Sequence, residues 1–168
     1  MSRNITDKYR EPFLVNNTNF IYKTNFEGNP AKDPKFHSTK RQCCIIIPTQ
    51  EQKEELEAEG IRIFETHPRE GEEEGFVPTY YVRAKLGYNH PSRKPKVNLV
   101  TNGVAQPLSE ENVALLDDCY VQNVKAKLTP AWDEENNKYF TELWIDVLYV
   151  EQDIEEDPYA AEYEWKTN

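Results

Sequence analysis

Two segments near the C-terminal end constrain the fold most. Residues 119–129 and 139–150 each alternate in character with a period of two, and the polar stretch DEENNK lies between them. Successive side chains of a strand point to opposite faces, so this pattern predicts a long antiparallel hairpin. On its first arm Tyr120, Val124, Ala126 and Leu128 share a face, opposite Lys125 and Lys127. On its second arm Leu143, Ile145, Val147 and Tyr149 share a face, opposite Phe140, Glu142, Trp144, Asp146 and Leu148. Residues 79–88 repeat the pattern: Tyr80, Val82, Ala84, Leu86 and Tyr88 face one way, and Tyr81, Arg83 and Lys85 the other.

The rest of the chain supplies shorter elements. A first strand is expected at 18–23, with Phe20 and Tyr22 on one face and Ile21 and Lys23 on the other. The run RQCCIIIP, apolar and closed by Pro48, reads as a buried strand. Thr49-x-x-Gln52 fits a capping box, strong helix formers follow, and Gly60 is a natural stop. That helix has Leu56 as its only large apolar residue and belongs on the surface. Short strands are expected at 61–66 and 97–100, and Ser109 caps a second short helix. About six strands, two short helices and extended loops, with no βαβ rhythm, make a mainly β, α+β domain. A small barrel of five to six strands is the economical closure. The expected organisation is a mobile N-terminus (1–11), one domain (12–150) and an acidic tail (151–168).

Charge is segregated. The net charge is −10, yet residues 51–76 carry −7 and residues 151–168 carry −6, leaving +3 elsewhere. No acid lies between Glu74 and Glu110, where five bases do. Segregation predicts partners better than the total does. Cys43, Cys44 and Cys119 are odd in number and lack zinc-ligand spacing, so neither a disulfide framework nor a zinc site is expected, and a reducing cytosol fits. No apolar run is long enough to span a membrane, and no signal peptide is visible. Nucleophile elbows, P-loops and dinucleotide fingerprints are missing, and DEENNK lacks the glycine and terminal glutamate of a calcium loop. The expectation is therefore a protein without catalysis, metal or cofactor.

What remains is a set of aromatics and bases. Single-stranded nucleic acid is held by cations along its phosphates and flat side chains under its bases. Tyr81, Arg83 and Lys85 offer both on one strand face, and Tyr88 ends the same segment. Arg93, Lys94 and Lys96 carry the charge into the next loop. Lys125 and Lys127 belong to the following hairpin, with Phe140 and Trp144 on the polar face of its second arm. Tyr22, Lys23, Lys35, Phe36, Lys40 and Arg41 form a second cluster near the N-terminus. These residues are the candidate nucleic-acid contacts.

In order along the chain come FEG (26–28), DPKF (33–36), RQCCIIIP, a helix ending EAEG, YYVRAKLGY, and LLDD before the final hairpin. Over residues 18–158 this resembles the single-stranded DNA-binding proteins encoded by tailed bacteriophages. The resemblance implies an OB-like fold and a role in phage DNA replication or recombination, coating transient single strands in the bacterial cytoplasm. It also implies an acidic tail that recruits replication or recombination proteins. Here Lys166, Thr167 and Asn168 follow Trp165, a departure from family tails that end on an aromatic or hydrophobic residue. The rival expectation is an acidic inhibitor or adaptor that binds a host protein by mimicking DNA. Acids spread across one face would favour the rival; acids set apart from a basic, aromatic groove would favour DNA binding.

Overall fold

The computed structural model describes residues 11–89, 94–131 and 142–152. Its spine is the expected hairpin: β8 (Val121–Ala131) and β9 (Glu142–Gln152) pair antiparallel, with Val124 opposite Val150 and Ala131 opposite Glu142. Around them lie β1 (Phe13–Thr18), β2 (Phe20–Asn25), β3 (Gln42–Ile46), β4 (Phe64–Glu65), β5 (Tyr80–Lys85), β6 (Lys96–Thr101) and β7 (Val104–Leu108). All nine join one mixed sheet. The main path runs β1-β8-β9-β5-β3-β2; β4 pairs with β5, and β6 joins β9 to β7. β9 runs parallel to β5 at Lys85–Trp144, and parallel to β6 from Val147 to Glu151.

The protein is thus mainly β, but the sheet does not close into the expected barrel of five to six strands. Its path ends on β1 and β2, which follow each other across a single residue, Asn19. One residue cannot make a hairpin turn, so the two run on in sequence and do not lie side by side. Two strands beyond the expected segments raise the count to nine. The single strand expected at 18–23 is two, β1 and β2. β7 was not foreseen; it returns from β6 through Asn102-Gly103, both at positive φ (52° and 79°), the conformation two-residue hairpins use. The expected strand at 61–66 shrinks to Phe64–Glu65.

Irregular pairing also corrects three expected faces. The β8–β9 register slips between Lys127 and Leu128, whose partners are Val147 and Ile145, so Asp146 is an extra residue. Such a bulge shifts the alternation by one. Leu148 and Val150 therefore enter the core, while Tyr149 is 41% exposed. A second slip, between Val121 and Asn123, takes Tyr120 off the core face. In β2 the backbone of Tyr22 adopts φ +64°, which separates it from Phe20. Phe20 packs edge-on to Phe26 inside, and Tyr22 turns outward.

The core gathers inward-facing residues of β1, β3, β5, β8 and β9, with Val15, Ile45, Val82, Leu128, Ile145 and Leu148 fully or almost fully buried. Helix α1 (Gln50–Ala58) is capped as expected: the Gln52 N–H donates to Thr49 Oγ1 at 3.1 Å. Only Leu56 of this helix is buried. The second helix is a 3₁₀ turn, Val113–Asp118, and a shorter one spans Pro30–Lys32. The Asp117 carboxylate, fully buried, accepts from Thr24 Oγ1 (2.7 Å), Phe26 N–H (2.8 Å), Glu27 N–H (3.0 Å) and Lys32 Nζ (3.0 Å). It ties the end of β2 and the loop beyond it to the 3₁₀ turn that leads into β8.

Candidate nucleic-acid interface

β5 directs Val82 and Ala84 into the core, so Tyr81, Arg83 and Lys85 project from the outer face, as the alternation predicts. Opposite them on β3 lie Ile46, Cys44 and Gln42. Tyr81 is nevertheless only 8% exposed. Tyr22 meets it edge-on, with centroids 5.4 Å apart, and Phe64 stacks on it at 5.6 Å and 21°. Tyr81 is therefore the floor of an aromatic cluster and not an open platform. The open ring is Tyr22, 62% exposed. Burial pushes the Tyr81 phenol above its ordinary pKa. Burial also raises the Cys44 thiol, with Arg83 beside it acting in the opposite sense.

Cations cover this cluster. The Arg83 guanidinium lies 4.8 Å from the Phe64 ring centroid and that of Arg62 lies 5.2 Å away, contacts of cation–π type. A cavity of about 520 Å³ opens among Tyr22, Phe64, Tyr80, Tyr81 and Arg62. Sequence reasoning missed Phe64 and Arg62. Their signal was the alternation of IRIFET, which puts both on one face.

At the other end of β5 lies a second cavity, of about 510 Å³, lined among others by Lys85, Gly87, Tyr88, Lys94 and Trp144. Gly87 is required here: a Cβ would stand 2.8 Å from the Trp144 indole. Lys85 Nζ lies 6.0 Å from the Trp144 ring and 3.2 Å from Glu142 Oε1. Arg41 stacks over Tyr88 at 5.5 Å and donates to the Phe26 carbonyl at 2.7 Å. Among the described residues the buried Tyr88 hydroxyl has no hydrogen-bond partner, and burial raises its pKa, opposed by Arg41. Lys40 also lines this cavity, as do three acids: Glu110, Glu142 and Asp146. Thr129 Oγ1 donates to Asp146.

The structure thus brings Tyr22, Tyr81 and Arg83 together at one end of a face, and Lys40, Arg41, Lys85, Tyr88, Lys94 and Trp144 at the other. It leaves other candidates apart. Lys125 and Lys127 project from β8 opposite Tyr149 and Val147, in the row that includes Leu14, and line neither cavity. Lys96 pairs with Val147 on the β6 side. Lys35 lies 5.2 Å from the ring of Phe36, itself 69% exposed, in the loop after Pro30–Lys32. Lys23 is exposed, next to Tyr22 on β2. Arg93, Phe140, residues 1–10 and the tail from 153 onward lie outside the described residues.

Among the described residues no cluster of His, Cys, Asp and Glu could hold a metal ion, and no helix is long and apolar enough to cross a membrane. No family model, curated protein or solved structure matches the chain.

Proposed function

We propose that the protein is a non-enzymatic single-stranded DNA-binding protein, coating and protecting exposed strands during DNA replication or recombination. The observation that carries this reading is the outer face of β5. It has a ring-lined cavity at each end and the Arg83 guanidinium between them, over Phe64. Unpaired bases expose flat faces that such rings can stack on, while a duplex hides them. Exposed glutamates on α1 and in the 69–75 loop are mostly set apart from this face. Of these, only Glu57 lines either cavity, and it is held by Lys53 at 2.6 Å. Other acids do line the cavities, Glu65 beside Phe64 and Glu110, Glu142 and Asp146 around Trp144. It is therefore the pairing of rings with cations along β5, and not a separation of charge, that favours DNA binding over the rival reading as a DNA mimic.

We also propose that the architecture is OB-like. Taken as one strand bent at Asn19, β1 and β2 stand at both ends of the path through β8, β9, β5 and β3. That is a ring order with one seam left open. The parallel step between β5 and β9 supports the same reading. Proteins on such scaffolds bind single strands across the strand face that here carries the cavities.

The test is a titration with fluorescent oligo-dT, the matching oligo-U and a duplex, each at two salt concentrations. Oligo-dT should bind most tightly, and affinity should fall steeply with salt as counterions are released. Duplex binding equal to oligo-dT binding overturns the proposal. Binding to a host protein with no affinity for any nucleic acid establishes the rival.

A further inference from the structure

Three carboxylates among the cations of the Tyr88–Trp144 cavity have no place in a surface built only to track phosphates, which they repel. A base edge is different, because it offers N–H donors that a carboxylate accepts. On the reading that this face binds single-stranded DNA, we propose that the cavity is a guanine subsite. In it one base of the bound strand leaves the stack and presents its Watson–Crick edge.

Three features select guanine. The Glu142 carboxylate is about one-third exposed and accepts from Lys85 through Oε1 at 3.2 Å. A carboxylate has capacity for several donors. The Tyr88 hydroxyl is buried and has no partner among the described residues, and a buried polar group left unsatisfied is costly until a ligand reaches it. The cavity, at about 510 Å³, lies within the range of roughly 300–1,000 Å³ typical of small-ligand sites. Guanine places an acceptor, O6, beside two adjacent donors, N1–H and N2–H, so it can take the Tyr88 proton and give two to one carboxylate. Thymine has a single donor between two carbonyls, one of which would face the carboxylate. Adenine and cytosine each place an unprotonated ring nitrogen beside their amino group. A Cβ at residue 87 would collide with Trp144, so Gly87 keeps the ring seated against the wall of the cavity.

The experiment uses the full chain and anisotropy of a labelled all-thymidine oligonucleotide. It is compared with the same strand carrying one central guanosine, inosine or adenosine. The guanosine strand should bind roughly tenfold more tightly than the all-thymidine strand, the scale of one good bidentate base contact. Inosine, which lacks the N2 amino group, should recover part of that gain, and adenosine none. Glu142→Gln should abolish the guanosine gain, and Tyr88→Phe should reduce it. Equal, tight binding of all four strands overturns the subsite and leaves the broader reading intact. Failure of every strand to bind overturns both. If Glu142→Gln tightens all strands alike and keeps the guanosine preference, the carboxylate is only a source of repulsion and the assignment falls. The base series in the unaltered chain decides the matter even if a variant does not fold.

Discussion

On β5, Arg83 lies 4.8 Å from the Phe64 ring and Lys85 lies 6.0 Å from Trp144, each beside a cavity. On β8, Lys125 and Lys127 project outward just as regularly, opposite Tyr149 and Val147, with neither cavity beside them. Both strands show the same alternation of core residue and cation. What separates them is the neighbouring strands. β4 and β9 bring rings beneath the β5 cations, Phe64 and Trp144, so a bound strand would find charge and stacking surface together. Lys125 has one ring opposite it, Tyr149, but no cavity beside it in which a base could seat, and such a surface lysine attracts phosphate weakly and keeps the surface hydrated.

Several substitutions break or sharpen this contrast. The largest effect should come from Tyr81→Ala, because the ring is buried between Tyr22 and Phe64. It should lower unfolding stability by about 3 kcal/mol, as aromatic truncations in packed sites do. Denaturant melts would show this, and unchanged stability would mean that the ring is free for ligand. Tyr22→Ala should do the reverse: little loss of stability, since the ring is mostly exposed, and about 1–3 kcal/mol off oligo-dT binding. Equal affinity in the variant would remove Tyr22 from the interface.

Gly87→Ala comes next, with a Cβ forced toward Trp144. It should cost about 1–3 kcal/mol of stability as an overpacking change and shift the tryptophan emission. Arg83→Ala should then lower the salt slope of single-strand binding by about 0.7, one phosphate's share. Lys125→Ala with Lys127→Ala should leave that slope as it is. Equal slopes for the two would erase the distinction between β5 and β8.

The smallest effect is on alkaline stability. Burial raises the pKa of Tyr81 and of Tyr88 above the ordinary 10.0. The unfolded chain therefore loses these protons first, so their contribution is full below pH 10.0 and is lost as pH rises through the folded values. Lys32, hydrogen-bonded first to Glu27 and then to Asp117, is raised above 10.5 and acts in the same direction. Melting temperature should fall more steeply above pH about 10 in the native chain than in Tyr81→Phe, which lacks one of these protons.

Alternation in the sequence correctly assigned the faces of β5, because its neighbours pair with it in unbroken register from Gln42–Lys85 to Ile46–Tyr81. It misassigned Leu148, Tyr149 and Tyr120, because a one-residue bulge reverses every side chain beyond it and leaves no mark in the residue types. The helix start was legible because the Thr49 cap acts locally, although the Gln52 side chain of the expected box donates instead to the Leu14 carbonyl at 2.8 Å. The Asn102-Gly103 turn was legible in principle, as that dipeptide favours tight hairpins, but β7 itself holds Pro107 and is mostly exposed. The candidate site was half visible. Cations and tyrosines on β5 could be read directly, whereas the stacking of Phe64 on Tyr81 and of Trp144 against Gly87 depends on strands brought together from distant parts of the chain.

Phe13 pairs with Leu128, and Lys85 with Trp144. The first strand must therefore wait for a partner more than a hundred residues downstream, and the binding face must wait for the last. Sheets joined at such separations fold in milliseconds to seconds, because each long loop must close before its contacts reward it. On the ribosome the chain emerges from its N-terminus, so β1 and β5 are both made well before β9. A product that terminates before β9 lacks the Trp144 wall of the Tyr88–Trp144 cavity and leaves β6 paired on one side alone, to β7. The capacity to hold a strand would arrive with completion of the chain, and an unfinished copy could not compete for the nucleic acid that finished copies occupy.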